Sequence, residues 1–361
     1  MEKYKVGIVG ATGMVGQRFV TLCAKHPWFE IAALAASSRS AGRVYEEVVQ
    51  NRWAMDVPIP EEARNLVLLD ADADAEKLAG MVDFLFCAVD MKKDEIRALE
   101  DRYAKLECPV VSNNSAHRGT PDVPMVIPEL NYDHLAIIPA QRRRLGTKRG
   151  FVAVKSNCSL QSYVPALTPI KELYGLNKTL VCTYQAISGA GKTFQTWPEM
   201  VDNVIPYIGG EEEKSEQEPM KIWGRISGDV IVPATSPAVT AQCLRVPVSN
   251  GHMAACFASF DKKPDLEQIK SIWRNYRSRP QELELPTAPK QFLHYFEEDN
   301  MPQTRLHRDL EGGMAVSIGR LRPDTQYDIK FVCLSHNTLR GAAGGAVLLA
   351  ELLCAEGYMD R

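Results

Sequence analysis

A glycine-rich turn lies between the first apolar run of the chain and the first helix-like segment. KVGIVG has the pattern of a buried strand, and MVGQRFVTLCAKHP has the pattern of a helix that ends at a proline. Glycines in such a turn let the backbone approach a pyrophosphate, and the following helix offers unpaired N–H groups to the anion. The spacing is GxxGxxG rather than GxGxxG, so an ordinary strand–turn–helix corner is the alternative interpretation. The turn predicts a dinucleotide site at Gly10, Thr12, Gly13, Met14 and Val15.

The first half of the chain alternates short apolar runs with helix-like stretches. EIAALAAS, VDFLFCAVD and CPVVSN have the pattern of strands, and KKDEIRALEDRYAKLE has that of a helix. This alternation predicts βαβ units and a parallel sheet. After about residue 155, longer and partly alternating runs such as HMAACFASF and QYDIKFVCLS predict an α+β domain on a largely antiparallel sheet. The expected fold class is α/β, with a Rossmann-like dinucleotide-binding domain followed by this second domain.

The composition is that of a soluble globular protein. Of 361 residues, 45% are hydrophobic and 24% are charged, and the formal net charge of -3 argues against nucleic acid as a partner. No stretch approaches the roughly 18 to 20 apolar residues of a membrane span, and the N-terminus lacks a signal-peptide pattern. Nine cysteines without a CxxC pair predict reduced thiols, a cytoplasmic setting and no metal site. The basic run Arg142-Arg143-Arg144 is predicted to be a solvated loop.

The end of the second strand bears on the choice between NAD and NADP. An acidic residue at this point accepts hydrogen bonds from a ribose 2′-hydroxyl and repels a 2′-phosphate. Here the strand runs into hydroxyls and a guanidinium, which suit a phosphate. NADP is therefore the predicted cofactor, held at this end by Ser37, Ser38, Arg39 and Ser40. The alternative is that Arg39 is an ordinary surface residue.

A second glycine motif resembles a loose P-loop. The stretch AISGAGKT, residues 186–193, follows a strand pattern. It lacks the first glycine of a P-loop, and Pro198 follows within a few residues of the turn. A loop that lines the cleft between the domains is the preferred interpretation, and binding of ATP or GTP is the minor alternative.

One cysteine stands apart from the others, most of which lie in apolar runs. Cys158 follows the strand pattern FVAV and precedes the helix pattern LQSYVPALTPIKEL. The helix dipole and free N–H groups at a helix N-terminus stabilise a thiolate, which is the nucleophilic form of cysteine. Local context alone leaves a catalytic cysteine and a buried core cysteine as equal alternatives.

A histidine after a glycine-bearing turn is a second candidate catalytic group. His252 ends the run RVPVSNGH, and a histidine in a cleft can relay protons to and from an oxygen. Arg245, at the start of the same run, has the geometry to clamp a carboxylate. Taken alone, a single histidine is more often structural.

Together these motifs resemble the aspartate-β-semialdehyde dehydrogenase family, in its archaeal and fungal branch. The resemblance covers essentially the whole chain. It rests on GATGMVGQ, ASSRSAG, SNNSAHR, SNCS, QAISGAG, NVIPYIGGEEEK, RVPVSNGH and NTLRGAAGG. Two positions depart from the family pattern, namely Lys192-Thr193 after the SGAG turn and Glu218 before Pro219. These two departures bear on the detailed shape of the cleft and not on the reaction that the resemblance implies.

The resemblance implies roles for particular residues. Cys158 would be the nucleophile, with Gln185 positioning the reacting group and His252 as general acid/base. Arg245 would bind the substrate carboxylate, and Glu211 would bind its amine. Phosphate would be bound by Arg118, Asn114 and Lys214. The nicotinamide end of the cofactor would be approached by Ser188, Gly189 and Asn337. The family layout implies an NADP-binding domain of residues 1–156 and 338–361 and a catalytic and dimerisation domain of residues 157–337. It also implies a homodimer or homotetramer.

The implied reaction is NADPH-dependent reduction of aspartyl phosphate to aspartate semialdehyde through a thioester, in the biosynthesis of lysine, methionine and threonine.

Several of these residues also have a structural alternative. Arg118 and Lys214 could be surface charges, the run from Glu211 to Lys214 could be a solvated loop, and Gln185 could lie at the edge of the core. The nearest rival is a malonyl-CoA reductase-like thioester reductase, which has a CoA leaving group. An N-acetylglutamyl-phosphate reductase is disfavoured because its longer cysteine motif is missing. The rival of another class is a non-catalytic NADP-binding regulatory protein.

Overall fold

The computed structural model describes residues 2–360, and its N-terminal part is built on a parallel six-stranded sheet. The strands are β1 (Tyr4–Val9), β2 (Phe29–Ala36), β3 (Leu69–Asp70), β4 (Phe84–Cys87), β5 (Val110–Ser112) and β6 (Val152–Val154). They lie in the order β3-β2-β1-β4-β5-β6, and every pairing is parallel. The helices are α1 (Met14–Cys23), α2 (Tyr45–Val49), α3 (Glu61–Arg64), α4 (Ala75–Met81), α5 (Lys93–Lys105) and α6 (Ile138–Leu145). The predicted Rossmann-like fold is confirmed.

The second sheet is mixed. Its strands are β7 (Leu176–Gln185), β10 (Ala238–Arg245), β11 (His252–Phe260), β12 (Leu293–Phe296), β13 (Val316–Pro323) and β14 (Ile329–Ser335), and β8 (Arg225–Ser227) with β9 (Val230–Val232) forms a separate hairpin. In the order β10-β7-β11-β14-β13-β12, the three central pairings are antiparallel and the two edge pairings are parallel. The accompanying helices are α7 (Leu160–Tyr174), α8 (Glu211–Ile222), α9 (Leu266–Asn275), α10 (Arg279–Glu282), α11 (Thr304–His307) and α12 (Leu310–Gly313).

The end of the chain returns to the first sheet. A π-helical turn, Leu339–Ala343, leads into α13 (Gly344–Ala355), which is buried almost throughout. Helix α13 packs against α1 and β5, and its apolar side chains share a core with strands β1, β2 and β4. A second core joins the other face of this sheet to α7 and the mixed sheet. The π-helical turn therefore lies where the two sheets meet.

The basic run is helical, and its prediction as a solvated loop is wrong. Arg142, Arg143 and Arg144 form the last turn of α6, which Gly146 closes in the left-handed conformation. Arg142 donates to the carbonyl of Arg149 at 2.8 Å and to that of Tyr358 at 3.0 Å. Cations favour a helix C-terminus because of its dipole, so charge alone does not identify a loop.

Three further features concern membrane spans, metal binding and disulfide bonds. Within residues 2–360, no helix is both long enough and apolar enough to span a membrane. The same residues contain no group of three or more His, Cys, Asp or Glu side chains arranged to hold a metal ion. All nine cysteines are free thiols, and the sulfurs of Cys256 and Cys333 are 3.7 Å apart.

A buried ion pair holds the π-helical turn in place. The Arg340 guanidinium makes two hydrogen bonds to the Glu129 carboxylate, at 2.8 and 2.5 Å, and both side chains are fully buried. Its Nε donates to the Met314 carbonyl at 2.8 Å, and its Cζ lies 4.6 Å from the centre of the Phe292 ring. One side chain thus connects a loop of the first sheet to two segments that precede strands of the second.

We expect removal of one partner of this pair to be more harmful than removal of both. Arg340→Met leaves the Glu129 carboxylate buried and unpaired, which should lower the free energy of unfolding by about 3–5 kcal/mol. The double variant Glu129→Gln/Arg340→Met should recover part of that loss. Urea unfolding of the wild type, the single variants Arg340→Met and Glu129→Gln, and the double variant measures the coupling, and strictly additive effects would contradict it.

Candidate active site

A cavity of about 250 Å³ lies at the carboxyl edge of the parallel sheet, where ligands bind in open α/β folds. Segments that follow β1, β5 and β6 meet there with segments that follow β7 and β14. The lining residues are Val15, Asn113, Ser115, Arg118, Lys155, Asn157, Cys158, Ser188, Gly189, Glu211, Lys214, Asn337, Thr338, Gly341 and Ala342. The structure thus brings eight of the predicted site residues into one cavity, from six separate segments of the chain.

Cys158 is partly exposed to this cavity, between β6 and α7. A Cβ on Gly341 would lie 3.0 Å from the Cys158 Cβ, so the π-helical turn packs directly against the thiol-bearing residue. Burial raises the pKa of the thiol, and Glu211 adds to this effect, while the cations of Lys155, Arg118 and Arg245 act in the opposite direction. The net shift is upward. The helix N-terminus therefore does not by itself produce a thiolate, and ionisation needs a proton acceptor.

Glu211 lines the same cavity as Cys158 and accepts several hydrogen bonds there. It is the first residue of α8, and its carboxylate accepts hydrogen bonds from Lys214 at 2.7 Å, Asn157 at 3.0 Å and Gln185 at 3.2 Å. Burial disfavours the carboxylate, but the Lys214 cation and these donors outweigh it and lower the pKa of Glu211. The run from Glu211 to Lys214 is thus an ordered, charged helix start rather than a solvated loop.

Arg118 is held by a carboxylate that the family pattern does not lead one to expect. Its Nη1 donates to Glu218 Oε1 at 3.0 Å, and its remaining nitrogens donate to the carbonyls of Lys155 and Asn113. The other oxygen of Glu218 accepts the backbone N–H of Asn157 at 2.7 Å. Glu218 therefore fixes both the guanidinium and the loop that carries Cys158. The other departure, Lys192-Thr193, lies outside the residues that line the cavity.

Three predicted residues converge at one end of the mixed sheet. The parallel pairing of β10 with β7 sets Arg245 beside Gln185, and β11 begins at His252 next to the end of β7. Arg245 and His252 do not line the cavity themselves, but Gly189 does. A Cβ on Gly189 would lie 2.8 Å from Arg245 Nη1 and 3.0 Å from His252 Nε2. The glycine therefore leaves room beside both groups at the cavity wall.

The hydrogen bonds of His252 determine its tautomer. Its Nδ1 accepts the backbone N–H of Ala186 at 3.0 Å, so a neutral ring carries its proton on Nε2. Among the described residues Nε2 has no hydrogen-bond partner, although it is buried. Burial first, and the Arg245 guanidinium second, lower the pKa of His252 to about 3. The ring is thus a neutral N–H donor aimed past Gly189, and it is a weak proton acceptor.

The N-terminal turn fits a dinucleotide. Gly10 has a positive φ of 86°, and a Cβ there would lie 2.2 Å from the Ala88 carbonyl oxygen. A Cβ on Gly16 would lie 2.1 Å from the Gly10 carbonyl oxygen, so glycine is required at both positions. Within the described chain, no side chain caps the N-terminus of α1 and no acidic residue occupies its first turn. Its N–H groups are thus available to a pyrophosphate.

The other predicted cofactor residues fall into two groups. Ser37, Ser38 and Arg39 are exposed at the end of β2, while Ser40 is buried. At the far end of the cleft, Asn337 donates to the hydroxyl of Ser188 at 2.9 Å and accepts the backbone N–H of Gly251 at 2.8 Å. Ser188 and Gly189 belong to a 3₁₀ turn, Ile187–Ala190. The described chain continues from it into further turns rather than directly into the helix that a P-loop requires.

Sequence reasoning missed several residues of the cavity and misjudged the surroundings of one. The Asn114 side chain donates to the buried Glu100 at 3.0 Å, while its neighbours Asn113 and Ser115 line the cavity. Lys155 and Asn157 also line it, and Glu218 supports it from behind. In the sequence, Lys155 and Asn157 could be recognised only by their position beside Cys158. No local pattern predicted that Glu218 pairs with Arg118, which is 100 positions away.

A second and larger cavity, of about 440 Å³, adjoins the first. The two share Ser115, Arg118 and Lys214. Lys93, Arg97 and Lys221 also line the second cavity, and its only acidic lining residue, Glu218, is already paired with Arg118. The cavity is therefore basic, and it meets the Cys158 cavity at Arg118 and Lys214, two of the three residues predicted to bind phosphate.

Family models match both parts of the chain. Residues 5–138 match the NAD binding domain of semialdehyde dehydrogenases, and residues 167–340 match their dimerisation domain. A Rossmann-like domain joined to a mixed-sheet domain, with a thiol in the cleft between them, therefore defines a semialdehyde dehydrogenase.

Individual relatives narrow the class further. The chain is 43% identical over 350 residues to the aspartate-semialdehyde dehydrogenase of Methanothermobacter thermautotrophicus, covering 96% of this chain and 98% of the relative. It is 40% identical over 365 residues to that of Aspergillus fumigatus, covering 99% of each. The structure superposes with a TM-score of 0.89 on a crystal structure of aspartate semialdehyde dehydrogenase with NADP from Candida albicans, at 37% identity, covering 99% of this chain and 100% of that one. The chain belongs to the aspartate-semialdehyde dehydrogenase family.

The His252 environment predicts an acid-sensitive contribution to stability. In the unfolded chain an imidazole has a pKa of roughly 6.5. Between pH 6.5 and about pH 3, His252 binds a proton in the unfolded chain but not in the native protein. The contribution of this residue to the free energy of unfolding is therefore complete above pH 6.5 and decreases as the pH falls toward 3. Histidine-selective NMR, assigned with a His252→Gln variant, should find the ring neutral at pH 5. Titration near pH 6.5 would contradict the expected burial.

Proposed function

We propose that the chain catalyses the reversible, NADPH-dependent reductive dephosphorylation of L-aspartyl 4-phosphate to L-aspartate 4-semialdehyde. One observation carries the proposal: a single cavity places the Cys158 thiol among cations suited to a phosphate and a carboxylate suited to an amine. Membership of the family supports the same reaction. The reaction places the enzyme in the biosynthesis of lysine, methionine and threonine.

The charged groups around Cys158 account for recognition of both ends of the substrate. We assign the α-carboxylate to Arg245, whose guanidinium has hydrogen bonds to spare beyond its contact with the Ala186 carbonyl at 2.7 Å. The α-amine meets the Glu211 carboxylate, and Gln185 and Asn157 hold that carboxylate in place. These two assignments orient the β-acyl group toward Cys158.

The phosphate end is assigned to Arg118 and Lys214, which border both cavities. Asn113 and Ser115 line the catalytic cavity and are better placed for this task than Asn114, whose amide is occupied by Glu100. The basic second cavity offers phosphate a route that does not pass the cofactor cleft. Because both cations are already paired with carboxylates, an incoming phosphate competes with Glu218 and Glu211 for them.

The chemistry at Cys158 proceeds through a thioester. The sulfur attacks the acyl carbon, a C–S bond forms, the C–O bond to phosphate breaks, and phosphate leaves with the proton that the thiol released. NADPH, when bound in the adjacent cleft, supplies the hydride for reduction of the thioester. As negative charge develops on the substrate oxygen, the Nε2–H of His252 donates to it, which agrees with a neutral ring that has a free donor. Collapse of the adduct then breaks the C–S bond and releases the aldehyde.

Trapping of the acyl group tests this function. With aspartate semialdehyde and NADP but no phosphate, a single turnover should add one aspartyl group to the Cys158 peptide, as measured by mass spectrometry. Cys158→Ser should show neither the adduct nor turnover, whereas Cys182→Ser, a matched change of another partly exposed cysteine, should show both. Undiminished activity of Cys158→Ala would refute the proposal. Turnover with malonate semialdehyde that requires CoA rather than phosphate would favour the malonyl-CoA reductase-like alternative.

Arg39 is proposed to bind the 2′-phosphate of NADP, together with the serines around it. Arg39→Ala should raise the KM for NADPH about ten-fold or more and leave the KM for NADH nearly unchanged, because a hydrogen bond to a charged group contributes about 1.5–3 kcal/mol. Arg43→Ala, which removes an exposed arginine four residues away, is the control. Equal effects of Arg39→Ala on both cofactors would exclude this role.

The domain limits and the assembly are proposals of the same kind. We place the domain boundaries at residues 156/157 and 337/338, supported by the packing of α13 against α1. The match to a dimerisation domain supports a homo-oligomer, for which we propose a homodimer or homotetramer joined through the second domain. The exposed apolar side chains of Val201, Val204 and Tyr207 provide a surface for it. A cytoplasmic location fits the nine free thiols.

A further inference from the structure

Glu218 is a carboxylate at the site that the reaction scheme above leaves without a task. It lies on α8 and is the only acidic side chain among the residues that line the second cavity. Its Oε1 accepts a hydrogen bond from Arg118 Nη1 at 3.0 Å, and the side chains of Glu218 and Arg118 are 9% and 11% exposed. A nearly buried anion is thus paired with a cation that is proposed to bind phosphate, so Glu218 and phosphate compete for the same group.

The second oxygen of Glu218 tethers its carboxylate to the chain beside the thiol. Oε2 accepts the backbone N–H of Asn157 at 2.7 Å, and this hydrogen bond does not involve Arg118. A phosphate that takes Arg118 Nη1 from Glu218 therefore leaves the carboxylate anchored beside the guanidinium. A competitor that is attached to the site has a high effective concentration there. Glu218 is thus in place to recover Arg118 whenever phosphate moves away.

The Arg118 guanidinium is held by contacts other than Glu218. Its Nε donates to the Lys155 carbonyl at 3.0 Å, and its Nη2 donates to the Asn113 carbonyl at 3.2 Å. From α8, the Lys221 ammonium donates to the Arg118 carbonyl at 2.8 Å and to two further carbonyls of the segment that follows Arg118. Arg118 therefore keeps its place when its contact with Glu218 is lost. The distinctive contribution of Glu218 is its negative charge.

We propose that Glu218 is a tethered counter-charge that keeps the affinity of the site for phosphate low. As the C–O bond to phosphate breaks, the leaving group takes the bonding electrons, and its negative charge beside Arg118 increases. Glu218 repels this charge and recovers the Arg118 N–H, so phosphate departs from a cavity that is otherwise rich in cations. Glu218 acts through Arg118 and is a positioning residue. The inference rests on the proposed function in placing phosphate at Arg118.

The affinity for phosphate can be measured without turnover. Iodoacetamide, a neutral reagent, alkylates Cys158, and inorganic phosphate bound beside the thiol should slow this reaction. Mass spectrometry of the Cys158 peptide separates it from the other eight thiols. Glu218→Gln keeps the size of the side chain and removes its charge. It should lower the phosphate concentration that gives half-protection by about ten-fold or more, because a unit charge a few ångströms away in a poorly solvated site changes the affinity for an anion by at least that factor.

Two matched variants separate the charge of Glu218 from its contacts. Glu213→Gln makes the same charge change at an exposed residue of α8, and it should shift the half-protection concentration by less than about two-fold, because exposed charges are screened. Glu218→Asp keeps the charge on a shorter side chain, so its affinity for phosphate should stay close to that of the wild type. Tighter binding in Glu218→Gln is diagnostic, because mere damage to the site would weaken binding.

Turnover provides an independent measurement. With Glu218→Gln, product inhibition by phosphate should appear at about ten-fold lower concentration. The KM for aspartate semialdehyde should be nearly unchanged, because Arg245 and Glu211 are assigned to that end of the substrate. Cofactor binding and thermal melting show whether each variant is folded. If Glu218→Gln does not fold, Glu218→Ser removes the same charge and leaves room for water in the adjoining cavity.

The possible outcomes separate this role from the proposed function. Unchanged or weaker phosphate binding in Glu218→Gln, or binding in Glu218→Asp as tight as in Glu218→Gln, would overturn the role of Glu218 alone. Equal tightening in Glu213→Gln would do the same, because the effect would then reflect net charge. If phosphate does not protect Cys158 in the wild-type protein, the assignment of phosphate to Arg118 fails, and the proposed function fails with it.

Discussion

The buried pair of Arg340 and Glu129 is the contact on which the geometry of the site most depends. It connects the loop after β5 to the π-helical turn and to segments of the mixed sheet. The same turn packs Gly341 against Cys158 and leads into Gly345 against Lys155. A bidentate guanidinium–carboxylate pair that is fully desolvated is rigid and intolerant of losing one partner. The position of Cys158, the proposed nucleophile, therefore depends on an ion pair that does not line the cavity.

Charge in the site is arranged as a set of neutralised pairs. Arg118 is matched by Glu218 and Lys214 by Glu211, so the two cations proposed to bind phosphate are held in place but not free. This pairing keeps a cavity rich in cations stable without a ligand, since buried charges need partners. Lys155 is the exception, because its only hydrogen-bond acceptor among the described residues is a carbonyl.

His252 illustrates how a neighbour decides what a residue type can do. A histidine near a cleft suggests acid/base chemistry, because its ordinary pKa is close to neutral. Here complete burial and the adjacent Arg245 remove the charged form, and the backbone N–H of Ala186 occupies Nδ1. What remains is a neutral donor at Nε2, suited to an oxygen that becomes negative.

The sequence by itself determined the features that depend on neighbours along the chain: the glycine turn before α1, the alternation of strands and helices, and Cys158 between a strand and a helix. The glycine spacing of the turn before α1 is explained by Gly10 and Gly16, where any side chain would clash with the backbone. Only the tertiary structure decided the partners across long separations, such as Glu218 for Arg118 and Glu100 for Asn114, and the burial that shifts the pKa values of His252 and Lys155. Desolvation and charge pairing depend on which segments meet in space, and that information is not contained in local pattern.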